Sequence, residues 1–153
     1  NHPDFRLRIL GFGKGEYLEK LKQLARNLKC EGAIDWMGFQ SDVVRYMREA
    51  TALIVASRYE GFGRMTAEAC FCGCVVIGRN TGGTKEILDR TGGLPFCDVK
   101  MLQERMEDVA KWDEWQYMEV AQRAQKVAVD SYSIESNVKY VYEVYEKILN
   151  LRE

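Results

Sequence analysis

One stretch of the sequence, residues 52–69, limits the possible folds more than any other part. It opens with Ala52–Ala56, an apolar run rich in β-branched residues that predicts a buried parallel strand. The composition of Met65–Cys72 then predicts a helix. The turn between them therefore lies at the carboxyl end of a strand and at the amino end of a helix. Open α/β sheets bind their ligands at such places.

The residues of this turn suggest what kind of ligand it accepts. Gly61 and Gly63 allow a ligand to approach the backbone, and the N–H groups of the first helical turn are donors for an anion. Glu60 and Glu68 would repel an anion, so they make better acceptors for hydroxyl groups on the same ligand. A sugar nucleotide carries both kinds of group. On spacing alone, a plain loop carboxylate and a solvated helix position explain the two residues equally well.

Further strands and helices are predicted from apolar periodicity and from the positions of glycine. The predicted strands are 5–10, 33–37, 52–56, 75–78 and 92–96. The predicted helices are 16–29, one ending at 47, 65–72, a short one around 86–87, and then 99–111, 114–129 and 133–151. Strands that alternate with helices predict one α/β domain over residues 1–153, a doubly wound, Rossmann-like parallel sheet with helices on both faces, ending in several helices.

Two other glycine-rich turns follow predicted strands. In the first, Gly11–Gly15, the third glycine comes one residue too early for the G-x-G-x-x-G pattern of a dinucleotide site. A tight turn beside a ligand is the better interpretation. The second, Asn80–Thr84, is predicted as a loop. In the last helix, apolar residues from Ile134 to Leu149 mark one face. The tyrosines in and just before this helix are interpreted as packing residues: Tyr132, Tyr140, Tyr142 and Tyr145.

Composition excludes several classes of protein. The net charge of −1 gives no electrostatic signature for binding nucleic acid or an anionic membrane. No apolar run approaches the roughly 20 residues of a membrane-spanning helix. Five cysteines are an odd number, which argues against a disulfide framework. The spacing of Cys70, Cys72 and Cys74 is not that of a zinc site. Buried thiols at a helix–strand junction are the favoured interpretation, and they indicate a reducing cytosol.

The run Glu60-Gly61-Phe62-Gly63-x-x-x-x-Glu68-Ala69-x-x-x-Gly73 resembles the signature of the retaining family 4 (group 1) glycosyltransferases of GT-B fold. The similarity extends to Leu7–Gly13, to Met37-Gly38-Phe39 with Asp42, and to the segment from Val75 to Ile87. In that family the C-terminal domain binds the nucleotide sugar. The resemblance therefore implies a nucleotide-sugar-binding domain, with a UDP-, GDP- or ADP-sugar as donor substrate. It implies neither a covalently bound cofactor nor a metal.

The resemblance also implies roles for individual residues. Glu60 is the catalytic candidate, although it would position the donor hexose through its hydroxyls more than act as a nucleophile. Glu68 would bind the ribose hydroxyls. The other implied donor-binding residues are Gly61, Phe62, Gly63, Arg64, Met65 and Thr66 at the helix terminus, Gly11 and Gly13 at the phosphate and sugar, Gly38, Phe39 and Asp42 around the base, and Gly82, Gly83 and Thr84 in a loop facing the pocket.

Family members carry an Arg and a Lys in an earlier segment of this domain, and they carry an N-terminal acceptor domain before it. Because the chain starts at Asn1, without Met, we expect it to be a piece of a longer protein that cannot turn over alone. The implied acceptor is a sugar, a growing polysaccharide or a glycolipid. The implied location is the cytoplasm, with peripheral attachment of the full-length protein to the cytoplasmic membrane face left open.

Two other classes of function remain open at this point. One is a non-transferase of GT-B-like fold, such as a sugar-nucleotide epimerase or a phosphorylase. These enzymes need further acid–base residues or a pyridoxal lysine, which the sequence does not display. The other is a non-catalytic nucleotide-sugar-binding module, against which the intact pair of Glu60 and Glu68 argues.

Overall fold

The computed structural model describes residues 5–11, 13 and 15–150, and it divides the chain into two compact units, Asn1–Val43 and Val44–Glu153. Each unit is described by itself. Strands and helices alternate along both, as the sequence predicts. The strands are β1 (Leu7–Leu10), β2 (Ile34–Gly38), β3 (Ala52–Val55), β4 (Val75–Arg79) and β5 (Leu94–Phe96). The helices are α1 (Gly15–Asn27), α2 (Val43–Glu49), α3 (Arg64–Phe71), α4 (Gly82–Thr91), α5 (Val99–Lys111), α6 (Glu114–Tyr132) and α7 (Ile134–Asn150).

In the first unit, β1 and β2 pair in parallel, with Leu7 opposite Ile34. The two strands end together, because the Gly11 N–H donates to the Gly38 carbonyl oxygen at 2.7 Å. An exposed ion pair links residues at their other ends. There the Arg6 guanidinium lies 2.6 Å from a carboxylate oxygen of Asp35, and this hydrogen bond lowers the pKa of Asp35. The connecting helix α1 was predicted to reach residue 29. It ends at Asn27 because Lys29 adopts a positive φ of 55°.

The second unit is built on the parallel sheet β3-β4-β5, in which Ala52 lies opposite Val75 and Ile77 opposite Leu94. Neighbouring residues of the central strand β4 point to opposite faces of the sheet. Val76 packs into a cluster with residues of α3, α4 and α6. Val75 and Ile77 pack into a second cluster with Val109 of α5. Both faces of this sheet are therefore covered by helices, and the predicted α/β class with parallel strands is confirmed.

The first cluster depends on small side chains in α3 and α6. Ala69 of α3 and Ala128 of α6 are both fully buried, so the two helices can approach each other closely. Helix α6 also has a well-formed start. The Asp113 carboxylate accepts from the Gln116 N–H at 2.8 Å, and the Gln116 side chain accepts from the Asp113 N–H at 3.1 Å. This capping box satisfies donors that the first turn of a helix otherwise leaves open.

Predicted boundaries in the second unit also differ from those of the structure. Helix α4 begins at Gly82, so the residues predicted as the loop Asn80–Thr84 include its first turn. The last strand is shorter than predicted and starts at Leu94. Helix α6 continues to Tyr132, beyond its predicted end at residue 129. Glycine explains the first error, because it is read as a turn signal although it is tolerated at helix starts. The second error has the opposite cause: Gly92 ends α4 in the left-handed conformation, with a φ of 75°, and the strand begins only after the two glycines.

Helix α7 has the predicted apolar face, but the residues of this face are exposed in the part of the chain that the structure describes. Ile134 is 79% exposed and Leu149 is 61% exposed. Along the described chain, no helix has the length and apolarity that a membrane-spanning segment requires.

Candidate functional site

The glycine-containing loop after β3 and the start of α3 form the centre of the site. Gly63 adopts the left-handed conformation, with a φ of 79°, and it precedes the first residue of α3, Arg64. The N–H groups of Thr66 and Ala67 both donate to the Gly63 carbonyl oxygen, at 3.0 and 3.2 Å. The N–H groups of Arg64 and Met65 have no partner inside a helix at this position. They are the backbone donors available to an anion at this end of α3.

A cleft of about 350 Å³ opens at this helix terminus. Its lining residues are Glu60, Phe62, Gly63, Arg64, Met65 and Glu68. The sequence predicted all six as site residues, and the structure brings them together in one place. Gly61 belongs to the same loop but does not line the cleft.

The cleft combines one cationic side chain with two carboxylates. Glu60 is half-buried at the start of the loop Glu60–Gly63, whereas Glu68 is exposed on the second turn of α3. Within the described part of the chain, neither carboxylate forms a hydrogen bond or an ion pair with another side chain. Arg64, at the first position of α3, lies between them in sequence and lines the same cleft. Donors for an anion and acceptors for hydroxyl groups therefore occur side by side.

The start of α4 lies behind this loop. The Gly83 N–H donates to the Glu60 carbonyl oxygen at 3.1 Å, and a Cβ atom on Gly83 would overlap the Phe62 carbonyl group. The hydroxyls of Thr66 and Thr84 are 3.0 Å apart, and both side chains are fully buried. The sequence assigned Thr66, Gly83 and Thr84 to ligand contact. In the structure the Gly83 N–H and the two hydroxyls join α3, α4 and the loop to one another.

One aromatic contact was not predicted. The ring of Phe62 packs edge-on against the ring of Tyr132, with centroids 6.1 Å apart. Tyr132, at the end of α6, was interpreted as a packing residue, and it packs against the first cluster as expected. No local signal in the sequence predicts that its ring also contacts the loop. Such edge-to-face pairs contribute about 0.5–1.5 kcal/mol beyond the area they bury.

The remaining predicted site residues, Gly11, Gly13, Gly38, Phe39 and Asp42, belong to the first unit. Gly11 and Gly38 have positive φ values of 131° and 65° and end β1 and β2. Phe39 is 61% exposed. The turn from Gly11 to Gly15 was also predicted to include Phe12 and Lys14, which lie outside the described residues.

The cysteines occupy the junction that the sequence predicted. All five are free thiols, and Cys70 and Cys74 are buried on either side of Gly73. Burial raises the pKa of both thiols to about 11. No group of three or more metal-ligating side chains comes together among residues 5–11, 13 and 15–150. The described cleft therefore offers backbone N–H groups, one guanidinium and two carboxylates.

A protein-family model described as glycosyl transferases group 1 matches residues 1–127. The chain belongs to this family. Among curated relatives, it is 28% identical over 92 residues to N-acetyl-alpha-D-glucosaminyl L-malate synthase of Bacillus anthracis. The match covers 60% of the chain but only 24% of that protein. The chain thus spans about a quarter of the length of that relative.

Solved glycosyltransferase structures confirm the fold. HepE of Anabaena, crystallised in complex with UDP-glucose, superimposes with a TM-score of 0.77 and 22% identity, over 95% of this chain and 42% of that one. The C-terminal domain of a group 1 glycosyltransferase from Francisella tularensis gives a TM-score of 0.73 and 23% identity, over 87% of this chain and 72% of that one. These matches show the Rossmann-like architecture of a GT-B C-terminal domain.

Proposed function

We propose that the cleft at the start of α3 binds the diphosphate and the hydroxyl groups of a nucleotide sugar, and that the whole protein transfers the sugar to an acceptor. The observation that supports this most directly is the composition of the cleft. The amino end of α3 and the carboxylates of Glu60 and Glu68 line one space. The UDP-glucose complex of HepE, a protein of the same fold, supports a nucleotide sugar as the ligand.

Charge decides which group of the ligand meets which residue. A diphosphate is repelled by carboxylates, so it belongs at the N–H groups of Arg64 and Met65 and at the Arg64 guanidinium. Carboxylates bind pairs of hydroxyls through strong charge-assisted hydrogen bonds. We assign the ribose hydroxyls to Glu68, within α3, and the sugar hydroxyls to Glu60, at the start of the loop. The two carboxylates thus stand on either side of the helix terminus in sequence.

The proposed reaction breaks the bond between the anomeric carbon and the diphosphate oxygen. Negative charge then accumulates on the departing diphosphate, where preorganised donors and a cation lower the barrier. The start of α3 supplies the donors, and Arg64 supplies the cation. The acceptor hydroxyl oxygen forms the new bond with retention at the anomeric carbon, as in family 4, and its proton passes to the departing diphosphate. In this scheme Glu60 holds the sugar for the reaction.

The proposal also includes contacts in the first unit, the transferred sugar, the acceptor and the location of the reaction. We keep Gly11, Gly13, Gly38, Phe39 and Asp42 as predicted contacts of the phosphate, sugar and base. The transferred sugar is proposed to be a hexose, and the acceptor a sugar, a polysaccharide or a glycolipid bound by an N-terminal domain. A cytoplasmic reaction, at the membrane face where the acceptor is a lipid, is part of the same proposal.

The binding step is tested by NMR titration of the 15N-labelled chain with UDP, GDP and ADP and then with their sugar conjugates. We expect one diphosphate to bind weakly and to shift the amide signals of Gly61–Met65 most. Glu68→Gln should weaken binding roughly tenfold, since a hydrogen bond to a charged group contributes about 1.5–3 kcal/mol.

The matched control is Glu146→Gln, which removes an exposed carboxylate from α7, outside the cleft. This variant should bind as the wild type does. The proposal is wrong if no nucleotide shifts the loop signals, or if the two variants weaken binding equally.

A further inference from the structure

We propose that the first turn of α4, Gly82–Thr84, is a positioning element for the cleft. It holds the loop Glu60–Gly63 in its binding conformation from behind and leaves ligand contact to the loop and to α3. This inference rests on the proposed function, because it explains how that site is kept in shape. Its own evidence is the set of contacts between α4 and the loop.

Backbone atoms make the closest of these contacts. The Gly83 N–H donates to the Glu60 carbonyl oxygen at 3.1 Å. A Cβ atom on Gly82 would overlap that same carbonyl group, and one on Gly83 would lie 2.6 Å from the Gly61 carbonyl oxygen. The loop therefore lies directly on the first turn of α4, with no room for a side chain between them. Two glycines at these positions are a steric requirement of the contact.

Thr84 fixes the same turn from its other side. Its methyl group packs against β4, where a Cβ on Gly78 would lie 2.6 Å from it. Its hydroxyl is 3.0 Å from the hydroxyl of Thr66 on α3. Its backbone nitrogen would lie 2.8 Å from a Cβ on Gly63, the residue that turns the loop into α3. Thr84 thus links β4, α3 and the loop.

This link matters because the backbone of the loop has many accessible conformations when nothing holds it. Two of its four residues, Gly61 and Gly63, lose more conformational entropy on ordering than other residues do. A site that is already ordered before the ligand arrives avoids that loss at the binding step. The hydrogen bond from the Gly83 N–H to the Glu60 carbonyl oxygen therefore also helps to position the Glu60 carboxylate in the cleft.

The test deletes the hydroxyl pair without changing side-chain shape. Thr84→Val replaces the hydroxyl that bonds to Thr66 by a methyl group and keeps the existing methyl group, and Thr66→Val removes the same bond from α3. Thr84→Ser retains the hydroxyl. The matched control is Thr91→Val at the other end of α4, where an equally buried hydroxyl donates to the Ile87 carbonyl oxygen at 2.8 Å.

Two quantities are measured for each variant of the 153-residue chain: the exchange rate of the Gly83 amide hydrogen and the dissociation constant for UDP. For Thr84→Val we expect faster Gly83 exchange and UDP binding weakened roughly three- to tenfold, about the effect of one hydrogen bond. Thr66→Val should reproduce both changes, and it serves as the test if Thr84→Val does not fold. Thr84→Ser should restore both, and Thr91→Val should change neither beyond its effect on global stability.

The inference is overturned if Thr91→Val changes the two quantities by the same factors as Thr84→Val, or if Thr84→Ser fails to restore them. If the wild-type chain binds no nucleotide, the proposed function fails by itself. Gly83 exchange then still decides whether the Thr66–Thr84 pair holds the loop.

Discussion

Gly83→Ala is the substitution that tests the packing behind the cleft most directly. The new Cβ would overlap the Phe62 carbonyl group and would lie 2.6 Å from the Gly61 carbonyl oxygen. Ordinary contacts begin at 3.4 Å, whereas the Phe62 carbonyl atoms would lie 2.2 Å from the new Cβ, so the loop and α4 must move apart by about 1.2 Å, the difference between these distances. Backbone atoms cannot rotate away as a flexible side chain can.

The energetic consequence has two parts. Forcing an extra methyl group into a packed site costs about 1–3 kcal/mol. The same movement stretches the bond from the Gly83 N–H to the Glu60 carbonyl oxygen, which now measures 3.1 Å. A buried donor that loses its partner costs a further 1–3 kcal/mol or so, partly offset by the roughly 1 kcal/mol that Ala gains over Gly in a helix. We expect a net loss of about 3 kcal/mol in the free energy of unfolding.

Urea unfolding followed by circular dichroism measures this loss. With a urea dependence of about 1–3 kcal/mol per molar, the midpoint should fall by roughly 1–3 M. The control is Gly61→Ala in the same loop, because nothing lies within 4 Å of its Cβ position and its φ is outside the left-handed region. That variant should stay within about 0.5 kcal/mol of wild type. Equal midpoints for Gly83→Ala and wild type would refute the packing argument.

Three further predictions concern the rest of the second unit. At pH 8 a thiol reagent should modify exposed Cys97 at least roughly tenfold faster than buried Cys70 and Cys74, and comparable rates would contradict their burial. Burial raises the pKa of these two thiols from 9.0 to about 11, so they favour the native state below pH 9 and lose that contribution as the pH rises towards 11. Between pH 9 and pH 11 the urea midpoint of the Cys70→Ala, Cys74→Ala double variant should therefore fall less than that of the wild type. Asp113→Ala removes the capping box of α6 and should lower the free energy of unfolding by about 1 kcal/mol, measured by urea unfolding. Asp130→Ala, at an exposed position near the other end of α6, should cause no loss, and equal effects would argue against the cap.

The sequence predicted the order and class of the elements well because their signals are local. β-Branched runs such as Val75–Ile77 and the helical spacing in α5, Val99–Lys111, need no tertiary information. The same holds for the grouping of Glu60, Arg64 and Glu68, because a strand, a glycine turn and a helix fix where those residues lie. The cleft could thus be predicted from one stretch of chain.

Helix α7 shows where such local reasoning ends. Its periodicity correctly predicted a helix with one apolar face. What that face packs against is not encoded in the periodicity, and its residues, including Ile134, are exposed in the described chain. A pattern identifies the face that can be buried, whereas the partner depends on residues far away in sequence.

The roles of Thr66, Gly83 and Thr84 could not be predicted for a related reason. A glycine pair and nearby hydroxyls after a strand have the same composition whether they contact a ligand or support the loop that does. The choice depends on the adjacent pairing of β3 and β4, because it brings the loop after β3 against the turn after β4. Where those loops meet, the Phe62 backbone occupies the space that a Cβ on Gly83 would need, and the Thr84 hydroxyl bonds to the Thr66 hydroxyl. In the proposed arrangement these residues therefore support the cleft through the residues that line it.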